Sequence, residues 1–549
     1  MMVPRDRYRL VTQAGGPRYN TPMLRNVFLA CAACALLSAQ PNRFDILITG
    51  AKVVDGTGSP WFFGDVAVRG DTIAAVGLIP NAEAAVRIDG RSMVVAPGFI
   101  DIHSHGRRGI NSVPTAENYL REGVTTIVEG PDGSSPLPLA PFLDGIRKLG
   151  TSINFATCVG QGSIRSQVIG LANRKATPEE IGKMKEITGQ AIRDGAFCLS
   201  TGLFYVPGNF TPTEEVIELA RVAGRMGGFH ISHMREEAGH VLDSVKETIR
   251  IGEEGGLPTQ ITHHKIIGQP NWGRSVETLK LVEEARARGV DVTIDQYPYT
   301  ASSTGIAALL PQWSLEGGQK STAERLAAPD QRARIKATVV QNLMYDRGAG
   351  DAKNVVIVNC GFDRSLAGKS LAEITRARGA EPTLENAAET AMDLVNKGGC
   401  SAVYHAIEEQ DVVRIMRSPY SMVASDGDIP VFGQAAPHPR SYGTFARVLG
   451  VYVREQKVIG LEEAVRKMSG YPAERLKLWD RGLLRPGMKA DIVVFDPDKV
   501  GDRATYEQPH QYSAGFSEVI VNGKFALHEG KVTADRPGRV LLGPSATSR

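Results

Sequence analysis

The chain has 549 residues, with 63 lysines and arginines against 60 aspartates and glutamates, a net charge of +3. That length allows two to four compact units. With no basic block and no acidic tail, the balanced charge argues against nucleic acid as a partner and points to a small molecule.

Residues 1–22 are polar and turn-rich, and read either as disordered or as sequence upstream of the true start at Met23. A short positive region and a small-residue apolar stretch follow, with a possible cut after Ala39. This is the form of a secretory signal, too short to span a bilayer comfortably. It predicts a periplasmic or secreted protein without an integral membrane span, residues 1–41 being removed or disordered. Residues 44–54 are strand-like and turned by Asp55-Gly56-Thr57-Gly58, and two short strands follow at 65–69 and 72–76 around Gly70-Asp71. The same style returns at 490–496, 518–521 and 531–533. One small β-sandwich domain built from residues 42–96 and 481–549 is expected.

Between these ends the pattern is α/β. Residues 94–105, Val-Val-Ala-Pro-Gly-Phe-Ile-Asp-Ile-His-Ser-His, form an apolar run entered by Pro97-Gly98 that reads as a strand buried on both faces, with His103 and His105 pointing the same way at its end. Further apolar strands are expected at 125–128, 153–159, 196–199, 228–232, 258–262, 290–294 and 421–425. Most are separated by helices such as 213–226, whose first turn carries Glu214 and Glu215. Eight strands so spaced predict a TIM-like (β/α)8 barrel over 97–480, with an insertion at about 305–419.

Chemistry gathers at the predicted strand ends. The fifth carries His230 and His233, the sixth His263, His264 and Lys265, the seventh Asp295 and Tyr297, and the eighth Asp426. Imidazoles with carboxylates suit zinc, and a catalytic zinc leaves one position open for water. If His233 and His263 face the site, strand alternation turns His230 and His264 away from it, towards core use or contacts behind the ligands. Arg235 and Arg274 are expected to pair with acids. Cys158, Cys198, Cys360 and Cys400 stand singly in apolar surroundings and read as core thiols rather than a disulfide framework. Gly368-Lys369-Ser370 lacks the upstream glycine of a phosphate loop and reads as a helix start.

The stretch Pro97-Gly-Phe-Ile-Asp-Ile-His-Ser-His105 resembles the first-strand motif of the amidohydrolase superfamily. Gly123-Val-Thr-Thr126, Ser232-His-Met-Arg235, Thr262-His-His-Lys265, Asn271-Trp-Gly-Arg274, Asp295-Gln-Tyr-Pro-Tyr299, Ser425-Asp426 and His438-Pro-Arg-Ser-Tyr-Gly443 resemble the D-aminoacylase branch, the N-acyl-D-amino-acid deacylases. The similarity runs from about residue 44 to 540. It implies that His103 and His105 hold one metal position, that His233 and His263 hold the tighter one, and that Asp426 is the acid/base group beside the metal. It also implies that Lys265, Tyr297 and Arg440 bind the substrate α-carboxylate. Where the family commonly places a cysteine ligand after the second strand, this chain has Gly130-Pro131-Asp132-Gly133, which makes Asp132 the candidate ligand and Glu129 its rival. Oxygen in place of sulfur is a harder donor and alters metal preference.

The expected activity is zinc-dependent hydrolysis, with one or two ions, of the amide bond of N-acyl-D-amino acids. A cyclic-amide or dipeptide hydrolase, hydantoinase-like or isoaspartyl-dipeptidase-like, is the alternative on the same barrel. A barrel that binds a metal or small ligand without turnover is the non-enzyme alternative. The expected partner is a small-molecule substrate, and the oligomeric state is left open.

Overall fold

In the computed structural model, residues 43–546 are described, so the expected signal segment lies outside them. The chain opens with β1 (Arg43–Val53), β2 (Phe62–Arg69), β3 (Thr72–Gly77), β4 (Glu83–Asp89) and β5 (Val94–Pro97), followed at once by β6 (Phe99–Asp101). The sequence places Pro97-Gly98 at the entry to the buried strand and the domain boundary after residue 96, and the structure parts β5 from β6 at Gly98. β5 lies beside β1, while β6 pairs in parallel with the next strand. Gly98 permits the change because a Cβ there would sit 2.2 Å from Thr125 Oγ1.

β7 (Val124–Glu129) and β8 (Asn154–Thr157) continue the parallel sheet begun by β6. Then come β9 (Val159–Gly160), β10 (Cys198–Gly202), β11 (Phe229–His233), β12 (Thr259–Ile261) and β13 (Val292–Gln296). All are buried along their length, as strands covered on both faces must be, and their apolar runs follow from that. The helix Thr213–Arg225 shows how the outer layer attaches: Val216, Ile217, Leu219, Ala220 and Ala223 form its buried stripe.

The insertion begins with β14 (Ser302–Gly305) and adds β15 (Val355–Cys360) and β16 (Cys400–Tyr404) as a three-stranded antiparallel sheet. It has its own apolar core, including Ile306, Leu326, Ile335, Val339, Leu343, Val355 and Met392. Its end falls earlier than expected. The helix Glu409–Arg417 already packs against the barrel helix Ser275–Ala287 and β13, and leads into β17 (Ser421–Val423). Ser370 caps the helix Leu371–Ala377 through a reciprocal bond with Glu373, so the discounted Gly-Lys-Ser is a helix start.

β17 pairs in parallel with β13, and the chain then turns back beside the first barrel strand. Asp426 N–H donates to His103 O at 2.9 Å and His105 N–H to Gly427 O at 2.8 Å. At the other seam, β8 and β9 form one path interrupted at Cys158. The first half of that path bonds to the C-terminal tail, with Phe155 N–H on Arg539 O at 2.9 Å and Leu541 N–H on Phe155 O at 2.8 Å. Its second half pairs with β10. The eight parallel segments thus take up the (β/α)8 arrangement, with a terminal segment at one seam.

β18 (Ile492–Phe495), β19 (Phe516–Val521), β20 (Lys524–His528) and β21 (Lys531–Val532) return to the amino-terminal strands. All nine form one hydrogen-bonded sheet, in the order β21-β20-β19-β18-β5-β1-β2-β3 with β4 on β1. Apolar residues cover both faces, Ile46, Val66 and Ile492 in one cluster and Phe44, Leu47 and Ala67 in another.

The four cysteines are not free core thiols. Cys158 pairs with Cys198, their Cα atoms 4.7 Å apart, and Cys360 with Cys400, at 4.4 Å. Each pair is 40 residues apart in sequence and adjacent only through strand pairing; Cys360 and Cys400 are register partners between β15 and β16. Linear spacing carries no sign of such neighbours.

Candidate active site

Turns that follow the barrel strands carry the reactive side chains to one rim. Three of these residues sit with positive φ despite having side chains: Asp132 at 56°, His263 at 35° and Asp426 at 51°. Such backbone persists where surrounding structure enforces it, and it clusters at functional sites.

The histidines converge on Asp132. His103 Nε2 and His263 Nε2 each lie 3.5 Å from Asp132 Oδ1, and His233 Nδ1 lies 3.6 Å from it. His105 Nε2 is 3.4 Å from Asp132 Oδ2 and 3.0 Å from Asp426 Oδ1, and His103 Nε2 is 3.4 Å from the same Asp426 oxygen. Two ligand groups result, His103, His105, Asp132 and Asp426 in one and Asp132, His233 and His263 in the other. Asp132 belongs to both. Glu129 is committed elsewhere, accepting Arg107 N–H at 3.0 Å and pairing with Arg107 Nε at 3.0 Å. Of the two rivals, Asp132 is the one at the cluster.

This donor set fits a metal. His103 Nε2 and Asp132 Oδ1 are buried without hydrogen-bond partners, and His263 Nε2 stands 2.7 Å from His233 Nδ1. Nitrogen and carboxylate ligands suit zinc, and the double grouping suits one ion or two. Burial alone would raise the Asp132 carboxyl, but His103, His233 and His105 hold it well below the usual carboxylate range. Burial likewise opposes ionisation of Asp426, and Arg440 with His103 and His105 outweighs it. Both carboxylates are therefore held ionised.

Buried acids outside the cluster bond the backbone of its histidines. Asp101 accepts from His103 N–H at 3.3 Å and Ser425 N–H at 2.9 Å, joining the first and eighth segments. Asp295 accepts from His263 N–H at 2.6 Å and Gln260 Nε2 at 2.5 Å, and lies 3.7 Å from His103 Nδ1. Sequence reading noted Asp295 in a motif but gave it no role. It missed Glu237, whose Oε1 lies 3.3 Å from His263 Nδ1 and 2.5 Å from Lys265 Nζ. The signal for Glu237 was its place four residues past His233.

The three expected carboxylate binders share one wall. Arg440 Nη1 lies 2.7 Å from Asp426 Oδ2, and its guanidinium is 4.8 Å from the Tyr297 ring centre. Lys265 Nζ lies 5.7 Å from the centre of the same ring, and the buried Tyr297 hydroxyl has no hydrogen-bond partner. The surrounding cleft encloses about 700 Å³, lined also by Arg107, Arg108, Tyr205 and, from the insertion, Arg347. That volume suits a small ligand.

A model of the amidohydrolase family matches residues 411–526. The chain is 37% identical to the D-aminoacylase of Alcaligenes xylosoxydans xylosoxydans, over 92% of this chain and 98% of that one. It belongs to the D-aminoacylase family. The N-acyl-D-aspartate deacylase of the same bacterium is 34% identical, over 92% of this chain and 96% of its own. The crystal structure of N-acyl-D-glutamate deacylase from Bordetella bronchiseptica was solved with zinc and a phosphonate inhibitor that mimics the tetrahedral intermediate. It superposes with a TM-score of 0.78 at 34% identity, covering 91% of this chain and 100% of that one.

Other residues of this D-aminoacylase-family chain fall where their chemistry sends them. His230 bonds Thr201 and Thr259 at 2.9 Å, and His264 bonds Thr278 at 2.8 Å, so both are core histidines. Arg235 pairs with Glu247 at 2.8 Å and Arg274 with Glu277 at 3.2 Å. His405 packs against Tyr506, ring centres 4.5 Å apart.

Proposed function

We propose that this protein hydrolyses the amide bond of N-acyl-D-amino acids, releasing a carboxylate and a free D-amino acid. The observation that carries the reading is the meeting of four imidazoles on Asp132, with Asp426 and Arg440 paired beside them. Family membership supports the substrate class. A zinc ion held by these ligands would supply Lewis acidity, making water a nucleophile near neutral pH and polarising the amide carbonyl.

The protein's own groups do the rest. Asp426, kept ionised, takes the proton of the attacking water and delivers it to the departing nitrogen as the C–N bond breaks. Without that proton the amine is a poor leaving group. Lys265, Tyr297 and Arg440 hold the α-carboxylate, two cations and a phenol hydroxyl giving charge-assisted bonds that a neutral cyclic amide could not use. This favours an acyl amino acid over a hydantoin.

The protein is exported, to the periplasm or beyond. The signal-like residues 23–40 support this, as do the two disulfides, which persist in oxidising compartments. No helix among the described residues is long and apolar enough to cross a membrane.

Hydrolysis of paired N-acetyl-D- and N-acetyl-L-amino acids, with zinc measured in the same sample, tests the activity. Turnover of D forms, its loss on chelation and its return with zinc are expected. Equal rates on both enantiomers would remove the proposal.

A further inference from the structure

The interior beside the metal ligands holds an acid with more cationic neighbours than one carboxylate needs. Glu237 is 2% exposed. Its Oε1 faces Lys265 Nζ at 2.5 Å and His263 Nδ1 at 3.3 Å, and its Oε2, without a hydrogen-bond partner, lies 4.0 Å from Arg347 Nη2. Its backbone carbonyl accepts Ile267 N–H at 3.0 Å, which ties its loop to the segment after Lys265. Arg347 comes from the insertion and packs its guanidinium 4.5 Å from the Phe204 ring centre.

The His263 ring decides what Glu237 does. Its Nε2 faces Asp132 and His233, so that nitrogen must present a lone pair to an ion, and the proton of the neutral ring then sits on Nδ1. Two side-chain groups lie near Nδ1. Lys265 Nζ, at 2.8 Å, can only donate. Glu237 Oε1, at 3.3 Å, is the one acceptor of the two, so it takes the Nδ1 proton in the ion-bound tautomer, and Lys265 then donates to Glu237 and to the His263 carbonyl. A ligating histidine that gives its second ring proton to a carboxylate is held in the tautomer and orientation that ligation needs.

We propose that Glu237 is a positioning residue that fixes His263 as a metal ligand and, through the same oxygen, holds the Lys265 ammonium at the substrate wall. This rests on the reading of His263 as a ligand and Lys265 as a carboxylate binder. One carboxylate thereby couples the metal position to the substrate position. A purely structural acid, present to balance Lys265 and Arg347, would do neither.

The test measures zinc affinity of the full chain by competition with a chelator, for Glu237→Ala, Glu237→Asp, His263→Ala and Lys265→Met, with the melting temperature of each zinc-free protein. Glu237→Asp keeps the charge opposite both cations but withdraws the oxygen from His263, so it carries the test if the melting temperature shows Glu237→Ala unfolded. Both Glu237 variants are expected to bind zinc about 10- to 100-fold more weakly. Lys265→Met is expected to keep zinc affinity and raise KM. Wild-type zinc affinity in Glu237→Asp, with affinity lost in His263→Ala, overturns the proposal. Unchanged affinity in His263→Ala would instead overturn the ligand reading beneath it.

Discussion

Arg440 and Asp426 form an ion pair at 2.7 Å inside the cleft, although one is expected to bind the substrate and the other to move a proton. The pairing gives Arg440 two tasks, to keep Asp426 ionised and to offer its remaining N–H groups to the substrate carboxylate. Its own carbonyl and Nη2 contacts anchor it, the latter 3.4 Å from Ser303 O.

Removal of the Arg440 charge tests that double task. Arg440→Met is expected to lower kcat/KM by roughly 10- to 100-fold, the scale of charge-assisted hydrogen bonds. Both parameters move, KM from lost binding and kcat from the altered Asp426. Steady-state kinetics on one N-acetyl-D-amino acid measure this; a change confined to KM would assign Arg440 to binding alone.

Asp426→Asn keeps the shape of the side chain and removes its basicity. A fall in kcat of about 10²- to 10⁴-fold is expected. Activity near wild type would refute Asp426 as the proton carrier.

Asp132 shares both ligand groups, so its loss is expected to reduce bound zinc more than loss of any single histidine. Elemental analysis after dialysis against a chelator, on Asp132→Ala beside His105→Ala, decides this. Asp132→Cys, with a thiolate in place of the carboxylate, is expected to hold zinc.

Lys467 offers a pH test away from the ligands. It is 1% exposed and donates to Ser421 O at 2.8 Å and Ser421 Oγ at 3.0 Å, at the start of the strand that leads to Asp426. Burial lowers its pKa to about 8, with Glu463 opposing in part. The unfolded chain, with a lysine near its usual 10.5, then binds the proton more tightly between these values. Stability of the wild type relative to Lys467→Met therefore rises as pH climbs from about 8 to 10.5. Urea midpoints for both proteins across that range provide the measurement; a constant difference would contradict it.

Each disulfide closes 40 residues of chain. Cys360→Ala with Cys400→Ala is expected to cost about 4 kcal/mol by the loop-entropy relation. The loss is expected in the insertion, where the pair joins β15 to β16. Thermal melts of the variant against the oxidised wild type would show it, and an unchanged melting temperature would count against a structural role.

Much of this protein is settled by its sequence. Strand-end position gathers His103, His105, His230, His233, His263 and His264, because a parallel barrel delivers the ends of its strands to one rim, and the family resemblance picks His103, His105, His233 and His263 among them. The β-rich ends announce a shared small domain, while the core places of His230 and His264 show in their bonds to Thr201, Thr259 and Thr278. Other features needed the folded chain. The separate neighbours that β5 and β6 find depend on the fold, as does the place of Asp132 at the histidine cluster while Arg107 pairs with Glu129. Glu237 acquires its importance from His263 and Lys265, 26 and 28 residues further on, and from an arginine in the insertion. Cys158 and Cys198 meet because β9 lies beside β10. Periodicity records which face a residue shows, whereas partnership between distant segments is set by the three-dimensional path.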